Sequence, residues 1–483
     1  MESTTMSGHS GVSQSGRAGA HAPADNLAAD PPRPPQPPQP TTYWTAVRAM
    51  VVTCWPLILG NVLEWYEFST YGYLVPELRD NFYAGSSVLA WLGFAVTFVG
   101  RPLGGAIIGW ISDRYGRRRA IMLSLGGMLV ATVGQGCLPS ALTSPPWLAN
   151  IGVVLLAVFR LVQGLCSGGE ISGVSVSLAE FSAQGCLGMA ISLISVGGSL
   201  AFFLSSGITA LLHVLLTRDQ MLLWGWRVPF LLTIIPGLFA LQQRARLLET
   251  EAFTEAAAHR PPTWGCLHFF STLRSVLCQH TAATVLGVLG TAGIATLWYV
   301  GPIYTADFMV QYCGLPNTTA LTIASLAQVG SIVLSPLVGW LTDTIGVGKV
   351  TLLGALACAL CGLPVYHSIL TSDGDTAVVG FVDVVIIFGA VQALAGSTIY
   401  LWVLELYDTP IRTTGMGLSY NLAVSYLGGC GPMIADHLAQ STPYAPGALI
   451  SAMGLVSTLA LLYSRHLRKT GRLKCTHIRH LPY

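Results

Sequence analysis

Five ionisable side chains lie inside apolar stretches of the sequence: Glu64, Glu67, Arg101, Arg160 and Glu170. A charged group in apolar surroundings is costly, so its presence there indicates a function. Glu64 and Glu67 are three residues apart, which places them on one helix face, and Asn61 extends that face by a turn. A buried carboxyl near arginine can exchange a proton near neutral pH, and a guanidinium binds a carboxylate through two parallel hydrogen bonds. We therefore predict a proton-coupling network of Glu64, Glu67, Arg160 and Glu170, with Arg101 as a carboxylate-binding residue. Fixed ion pairs that brace the helices are the alternative.

The stretches that position these residues are long enough to cross a bilayer. The chain has 483 residues, of which 52% are hydrophobic and only 10% are charged, whereas a soluble domain carries roughly 25% charged residues. Apolar runs of roughly 20 residues, the length of a transmembrane helix, recur from Met50 onward. We predict an all-α membrane protein with twelve transmembrane helices, near 50–74, 86–110, 119–138, 151–178, 187–212, 227–243, 281–304, 319–342, 350–370, 377–403, 415–436 and 446–464.

The basic residues predict how these helices are oriented, because lysine and arginine concentrate in cytoplasmic loops. With both termini cytoplasmic, the positive residues that face outward are Arg79 and Arg218. Those that face inward are Arg17, Arg33, Arg48, Arg114, Arg117, Arg118, Arg119, Arg244, Arg246, Arg260, Arg274, Lys349, Arg412, Arg465, Arg468, Lys469, Arg472, Lys474 and Arg479. The same orientation places the glycosylation sequon at Asn317 outside.

The chain contains an internal repeat. The motif Gly-Trp-x-x-Asp-x-x-Gly begins at Gly109 and again at Gly339, an offset of 230 residues. Two six-helix halves are therefore expected. The predicted domains are a Pro-rich cytoplasmic tail (1–45), an N-terminal half (46–243), a cytoplasmic central loop (244–280), a C-terminal half (281–464) and a basic cytoplasmic tail (465–483). The first tail favours polyproline II or disorder and has no apolar run, so we do not expect it to be a cleaved signal peptide.

Charged residues at the inner helix ends form a second candidate cluster. Asp113 can pair with an arginine of its own loop and cap a neighbouring helix end. Such a contact would latch the inner side shut. We predict a gating role for Asp113, Arg114, Arg117, Arg118, Glu180, Asp343, Glu405 and Arg412; simple anchoring by positive charge is the alternative.

Several segments resemble a known family. The loop from Gly109 through Asp113-Arg114 to Gly116-Arg117-Arg118-Arg119 resembles the signature between helices 2 and 3 of the major facilitator superfamily. Further segments resemble one branch of this superfamily, the metabolite:proton symporters. That branch includes carriers for proline and betaine, α-ketoglutarate, citrate and shikimate. The matching segments are Gly60-Asn61 with Glu64-Trp65-Tyr66-Glu67-Phe68, Arg101-Pro102-Leu103-Gly104-Gly105, Arg160-Leu161 with Gln163-Gly164, Gly168-Gly169-Glu170, Leu178-Ala179-Glu180, Trp224-Gly225-Trp226-Arg227, Arg246-Leu247 with Glu249-Thr250, and Tyr420-Asn421-Leu422-Ala423-Val424.

The resemblance implies where a substrate and a proton would bind. In that branch, the arginine of the fourth span and the carboxylates of the first span belong to the coupling and substrate site. The candidate substrate-binding residues are Asn61, Tyr66, Arg101, Gln163, Tyr299, Tyr420 and Asn421. This chain departs from the family at Glu67, where aspartate is usual, and in its second signature loop, which lacks the arginines.

The sequence favours a transporter over an enzyme. It shows no metal-spaced histidine cluster, P-loop or nucleophile elbow, so we expect no enzyme activity, no cofactor and no ATP-driven pump. The lone CxxC at Cys358 and Cys361 indicates helix packing. A net charge of +2 favours no nucleic-acid partner. We predict a proton-coupled symporter of a small organic anion or zwitterion, by default in the plasma membrane and, by resemblance, monomeric. A nutrient sensor without flux and a facilitative uniporter are the alternatives.

Overall fold

The computed structural model of the protein describes residues 42–182, 185–246, 266–372, 376–408 and 411–473. In these residues the regular secondary structure is helical throughout. Several sequence predictions lie outside the described residues. They are the Pro-rich tail up to residue 41, most of the central loop with the 247–250 motif, and Lys474 and Arg479 of the basic tail.

Twelve long helical segments follow one another in the described part of the chain. They are α1 Tyr43–Tyr73, α2 Ser87–Tyr115, α3 Arg117–Gly136, α4 Pro146–Phe181, α5 Leu187–Leu215, α6 Gly225–Arg244, α7 Thr281–Cys313, α8 Asn317–Ile345, α9 Val347–Thr371, α10 Ala377–Leu404, α11 412–439 and α12 Ala445–Lys469. Short helices occupy three connections: Val75–Phe82, Arg218–Leu223 and Cys266–Arg274.

Most of these segments are suited to a bilayer. Among the described residues, ten are long and apolar enough to cross a membrane. The two that fall short are α3, which starts with three arginines, and α11, which carries many polar residues. Both lie where the sequence predicted a span. The twelve predicted spans therefore each correspond to a helical segment, although the helices extend beyond several predicted boundaries.

Five of the long segments in the described residues are irregular, and one of them, α6, begins with the 3₁₀ turn Gly225–Arg227 and is interrupted between Leu231 and Ile234. α4 consists of two helices, Pro146–Ser167 and Glu170–Phe181, that meet at Gly168 and Gly169. Wider π-helical turns interrupt α7 at Val300–Tyr304, α10 at Phe381–Phe388 and α11 at Ala423–Gly429. Such turns often mark functional positions, because the extra residue redirects side chains and frees backbone groups.

Two helix pairs join α1–α6 to α7–α12. The first pair, α5 and α8, packs along its whole length. Hydroxyl pairs run down this contact: Ser195 with Ser335 at 3.3 Å, Ser199 with Ser331 at 2.8 Å, and Ser206 with Ser325 at 2.7 Å. Small polar residues let two helices approach closely and hydrogen bond in a setting without water.

The second pair, α2 and α11, meets through glycine. A Cβ atom on Gly105 would lie 2.3 Å from the carbonyl oxygen of Gly417, and one on Gly417 would lie 2.8 Å from the carbonyl oxygen of Gly105. Both are closer than real Cβ atoms come. Backbone-to-backbone contact at this point therefore requires glycine in both helices. It brings α11 against the stretch of α2 that carries Arg101.

Candidate functional site

The centre of the bundle holds a buried ion pair between α1 and α2. Arg101 Nη2 lies 3.2 Å from Glu64 Oε1, and both side chains are fully buried. Arg101 Nε donates to Asn421 Oδ1 of α11 at 3.1 Å. The Arg101 guanidinium also stacks 4.8 Å from the ring centre of Phe68. Arg101 therefore connects the first six helices to the last six at a fully buried position, where charged hydrogen bonds are strong.

Polar atoms around this pair remain without hydrogen-bond partners. Among the described residues, no partner reaches Glu64 Oε2, Arg101 Nη1 or the hydroxyl group of Tyr299. Buried polar atoms in proteins are nearly always satisfied, so exceptions call for an explanation. The three atoms comprise a cationic donor, an anionic acceptor and a hydroxyl. This set matches a small molecule that carries both a carboxylate and a cationic group.

Aromatic rings surround the same position. Phe98 lies 5.1 Å from Tyr299, and Trp65 lies 4.9 Å from Trp298, measured between ring centres. The ring contacts continue from Trp298 to Tyr400 at 5.8 Å and from Tyr400 to Tyr420 at 5.4 Å. Ring faces attract cations, and several rings together recognise ammonium groups that cannot donate hydrogen bonds. The aromatic cluster thus complements the polar atoms of the Arg101–Glu64 pair.

Glu67 lies in a separate polar cluster within α1–α6. Its Oε2 accepts from Gln163 Nε2 at 3.4 Å, and Gln163 Oε1 accepts from Arg160 Nη1 at 2.9 Å. Arg160 otherwise donates to backbone oxygen, at 2.9 Å to Phe94, and its guanidinium stacks 4.2 Å from the ring centre of Tyr71. Arg160 thus reaches Glu67 through Gln163 rather than by a direct ion pair.

Glu170 pairs with a residue that the sequence analysis placed in the central loop. Arg244, the last residue of α6, forms a fully buried ion pair with Glu170 of α4. It also donates to the carbonyl oxygens of Pro56, Leu57 and Ile121. Arg244 therefore ends α6 and is buried, whereas the sequence analysis had placed it in the cytoplasmic central loop. A single arginine after an apolar run resembles a topology anchor, and nothing in the sequence reveals its partner.

The two repeated aspartates occupy equivalent positions at one end of the bundle, here called the aspartate end. Asp113 Oδ2 accepts from the backbone N–H and the hydroxyl of Thr414, at 3.2 and 2.8 Å, in the first turn of α11. Its Oδ1 pairs with Arg117 Nη1 at 2.6 Å, and Arg117 Nη2 reaches Glu180 at 3.4 Å. Asp113 thus caps a helix that belongs to the other six-helix set.

Asp343 makes the matching contact on the other side. It accepts from the backbone N–H groups of Gly188 and Met189, at 2.6 and 3.0 Å, in the first turn of α5. The hydroxyl of Tyr43 adds a third hydrogen bond at 3.0 Å. The internal repeat is therefore reproduced as two reciprocal helix caps: α2 caps α11, and α8 caps α5.

The remaining residues of the proposed gate lie around these caps. Glu405, just after α10, pairs with Arg468 of α12 at 3.4 Å. Burial raises the pKa of Glu405 to about 7, although the Arg468 guanidinium acts in the opposite direction. Arg412 donates to the carbonyl oxygen of Tyr407 at 3.3 Å. Arg114 stacks 5.3 Å from Trp110, and Arg118 is exposed.

The structure brings together only some of the predicted substrate-binding residues. Arg101, Tyr299, Tyr420 and Asn421 lie at the contact between the two helix sets. Gln163 instead belongs to the Glu67 cluster. The Tyr66 hydroxyl donates to Pro229 of α6 at 3.1 Å, which directs it away from α7–α12.

Asn61 has a supporting position. Its amide donates to Ile194 of α5 at 2.9 Å, and its oxygen accepts from Trp65 Nε1 at 3.2 Å. It therefore orients one ring of the aromatic cluster. Sequence reasoning had given no role to Trp65 or Phe98. Trp65 could have been noticed because it falls inside the segment that carries Glu64 and Glu67. No feature of the sequence pointed to Phe98.

Two further predictions concern isolated residues. Asn317 of the sequon begins α8, and its amide nitrogen lies 3.1 Å from Nε2 of His213. Its glycosylation remains a prediction. Cys358 and Cys361 are both buried in α9, with no disulfide between them, and Cys361 Sγ donates to the carbonyl oxygen of Cys358 at 3.6 Å.

Comparison with known proteins identifies the class. The family model of the Major Facilitator Superfamily matches residues 57–432. The chain belongs to this superfamily. It is a multi-pass integral membrane transporter and not an enzyme. Its all-helical fold is that of this class.

Curated relatives are transporters of small metabolites. The ectoine/proline transporter ProP of Corynebacterium glutamicum is 29% identical over 421 residues, which cover 84% of this chain and 82% of that protein. The inner membrane metabolite transport protein YhjE of Escherichia coli is 28% identical, covering 85% and 93%. The glycine betaine/proline/ectoine/pipecolic acid transporter OusA of Dickeya dadantii is 25% identical, covering 84% and 81%.

Solved structures share the fold. The proton:xylose symporter XylE bound to 6-bromo-6-deoxy-D-glucose superposes with a TM-score of 0.70, covering 91% of this chain and 98% of that one. The sequence identity is 18%. This similarity shows the major facilitator fold alone.

Proposed function

We propose that this transporter is a proton-coupled symporter of a small zwitterion that bears a carboxylate and an alkylated ammonium group. The observation that carries the proposal is the Arg101–Glu64 pair with its unpartnered atoms beside an aromatic cluster. Arg101 Nη1 would bind the substrate carboxylate, because a guanidinium has donors left over after pairing with Glu64 and Asn421. The rings and Glu64 Oε2 would hold the cationic group.

We assign proton binding to the carboxyl group of Glu67. Glu64 is neutralised by Arg101, whereas Glu67 has no direct ion pair among the described residues and is 1% exposed. A buried carboxylate without a cation is costly. Binding of a proton removes that cost, so the protonation of Glu67 would change the energy of the surrounding helices. Gln163 connects this event to Arg160 and so to α2.

Alternating access would follow from the contacts between the helix sets. We assign α1–α6 and α7–α12 to two halves that rock about the α5–α8 and α2–α11 contacts. The reciprocal caps of Asp113 and Asp343 would hold the aspartate end closed. With the orientation given by the basic residues, this end faces the cytoplasm. The names of the relatives, which refer to proline, ectoine and betaine transport, support this substrate class.

Uptake into liposomes tests the proposal. The purified protein would be reconstituted and given labelled glycine betaine, proline and ectoine, with citrate, shikimate and a hexose for comparison. Each compound would be tested with and without an inward proton gradient. Accumulation of a zwitterion above equilibrium, only with the gradient, is expected. Equilibration without accumulation would indicate a uniporter. Binding without flux would indicate a sensor, and accumulation of a dicarboxylate or tricarboxylate alone would contradict the assigned substrate class.

A further inference from the structure

A groove on the outer surface of the bundle separates α9 from α10. Its volume is about 410 Å³, which falls within the size of small-molecule sites, about 300–1,000 Å³. Its walls are apolar, formed on one side by Leu360, Pro364 and Val365 and on the other by Ile387. Leu360 is 66% exposed and Ile386, next to the groove, is 57% exposed. In a membrane transporter, such a surface faces lipid.

One carboxyl group lies in this apolar groove. Asp383 of α10 lines it and is 8% exposed. Ser368 of α9 hydrogen bonds to the carboxyl group. Oδ2 has no partner, and no basic residue forms an ion pair with Asp383, within the parts of the chain that the structure describes. A charged carboxyl group in such apolar surroundings costs free energy unless a bound ligand compensates the charge.

The backbone supplies a second hydrogen-bond acceptor. Pro364 lies inside α9 and has no N–H group. The carbonyl oxygen of Leu360, four residues earlier, therefore lacks its usual helical donor. Asp383 also lies in the π-helical turn Phe381–Phe388, which widens α10 beside the groove. Asp383 Oδ2 is thus an oxygen acceptor in apolar surroundings, and Leu360, whose carbonyl oxygen lacks a helical donor, lines the same groove. A cationic group with several N–H donors would complement both.

The depth of Asp383 indicates where that cation comes from. Asp383 is six residues beyond Ala377, the first residue of α10, which corresponds to roughly 9 Å along a helix. With Ala377 taken as the point where α10 enters the membrane, this distance places the carboxyl near the boundary between lipid headgroups and acyl chains. A primary ammonium group has three N–H donors, whereas a quaternary ammonium has none.

From these observations we propose that the α9–α10 groove binds a membrane lipid with a primary ammonium headgroup, of the phosphatidylethanolamine type. The ammonium bonds to Asp383 Oδ2 and the carbonyl oxygen of Leu360, and an acyl chain lies along the apolar wall. None of the residues of the Arg101 site (Glu64, Arg101, Tyr299, Tyr420 and Asn421) lines the groove. This inference is independent of the proposed transport substrate, because it concerns the lipid-facing surface.

The test compares lipids that differ only in the headgroup nitrogen. The full-length protein would be placed in nanodiscs of phosphatidylcholine with increasing fractions of phosphatidylethanolamine or its N-monomethyl and N,N-dimethyl derivatives. Thermal unfolding and native mass spectrometry would report stabilisation and retained lipid. We expect retention to fall along the methylation series. We expect the variant Asp383→Asn to weaken it by about tenfold, since charge-assisted hydrogen bonds are about twice as strong as neutral ones.

The control variant is Asp307→Asn. Asp307 of α7 is bonded within its own helix by Gln311 at 2.7 Å and lies outside the groove. This variant should retain the lipid as the unaltered protein does. Photo-crosslinking of the unaltered protein with a photoactivatable phosphatidylethanolamine should label α9 and α10, which keeps the test valid if Asp383→Asn misfolds. Equal retention of phosphatidylcholine, full retention by Asp383→Asn, or crosslinks confined to other helices would overturn the inference.

Discussion

Asp343 of α8 accepts a hydrogen bond from the backbone N–H of Gly188 in α5 at 2.6 Å. Asp113 of α2 makes the same kind of contact with Thr414 in α11. In each case a carboxylate at the end of one helix satisfies free N–H groups in the first turn of a helix from the other set. Such caps are broken when the helices separate and remade when they meet. They are therefore well placed to bias one conformation of the transporter.

The caps lead to the first prediction. Asp343→Ala and Asp113→Ala should each shift the protein toward a state that is open at the aspartate end. Loss of a cap costs about 1 kcal/mol, or roughly a fivefold change in population. Spin labels at the aspartate ends of α5 and α8 would report the distance, attached through unnatural amino acids because the chain has native cysteines. Asp80→Ala, which removes a carboxylate that pairs only with its chain neighbour Arg79 among the ion pairs of the described residues, is the control. Unchanged distance distributions in both cap variants would argue against a latch.

The second prediction concerns the glycine contact of α2 and α11. Gly105→Ala places a Cβ atom 2.3 Å from the Gly417 carbonyl oxygen, so the two helices must move apart. We expect a lower maximal rate of uptake with little change in protein yield, because closure of this contact becomes unfavourable. Gly207→Ala is the matched control, since a Cβ atom there meets nothing within 4 Å. Equal rates in the two variants would show that the contact does not open and close.

The third prediction separates charge from geometry at Arg101. Arg101→Lys keeps the positive charge but loses the planar fork that reaches Glu64 and Asn421 together. The KM for substrate should rise roughly tenfold, equivalent to about 1.4 kcal/mol. Arg218→Lys, in the short connection Arg218–Leu223, should leave the KM unchanged. A normal KM in Arg101→Lys would show that Arg101 only braces the helices.

The fourth prediction concerns the proton. Glu67→Gln preserves the shape of the side chain and its contact with Gln163, but cannot release a proton. Gradient-driven accumulation should be lost, while exchange of labelled for unlabelled substrate continues. Glu64→Gln should instead weaken substrate binding, because Arg101 loses its counter-charge. Both quantities are measured in the same liposomes. Accumulation by Glu67→Gln at the normal level would remove Glu67 from the coupling mechanism.

The fifth prediction is a dependence of stability on pH. Burial raises the pKa of Glu405 from 4.5 to about 7 in the folded protein. The folded state therefore holds a proton that the unfolded state releases, and stability should fall as the pH rises from about 4.5 to about 7. Glu405→Gln should flatten the melting temperature in this window. Glu180→Gln provides a comparison at the same end. An identical pH profile in Glu405→Gln and the unaltered protein would contradict the assignment.

The sequence by itself determined the helical plan of this protein. Apolar runs can only be satisfied across a bilayer as helices, because each backbone group must bond within its own segment. The repeat at Gly109 and Gly339 identified the two aspartates that the structure shows in reciprocal caps. Their spacing also placed Glu64 and Glu67 on one helix. It could not show that Glu64 pairs with Arg101 whereas Glu67 accepts a hydrogen bond from Gln163.

Only the tertiary structure decided which charges meet. Arg101 pairs with Glu64. Arg160 is connected to Glu67 only through Gln163. Arg244, which was expected in a loop, pairs with Glu170 at the end of α6. These partners are distant in sequence, and their choice depends on how each helix is rotated and where glycines allow close approach. The aromatic cluster was also decided by packing, since its rings come from α1, α2, α7, α10 and α11 and share no sequence pattern.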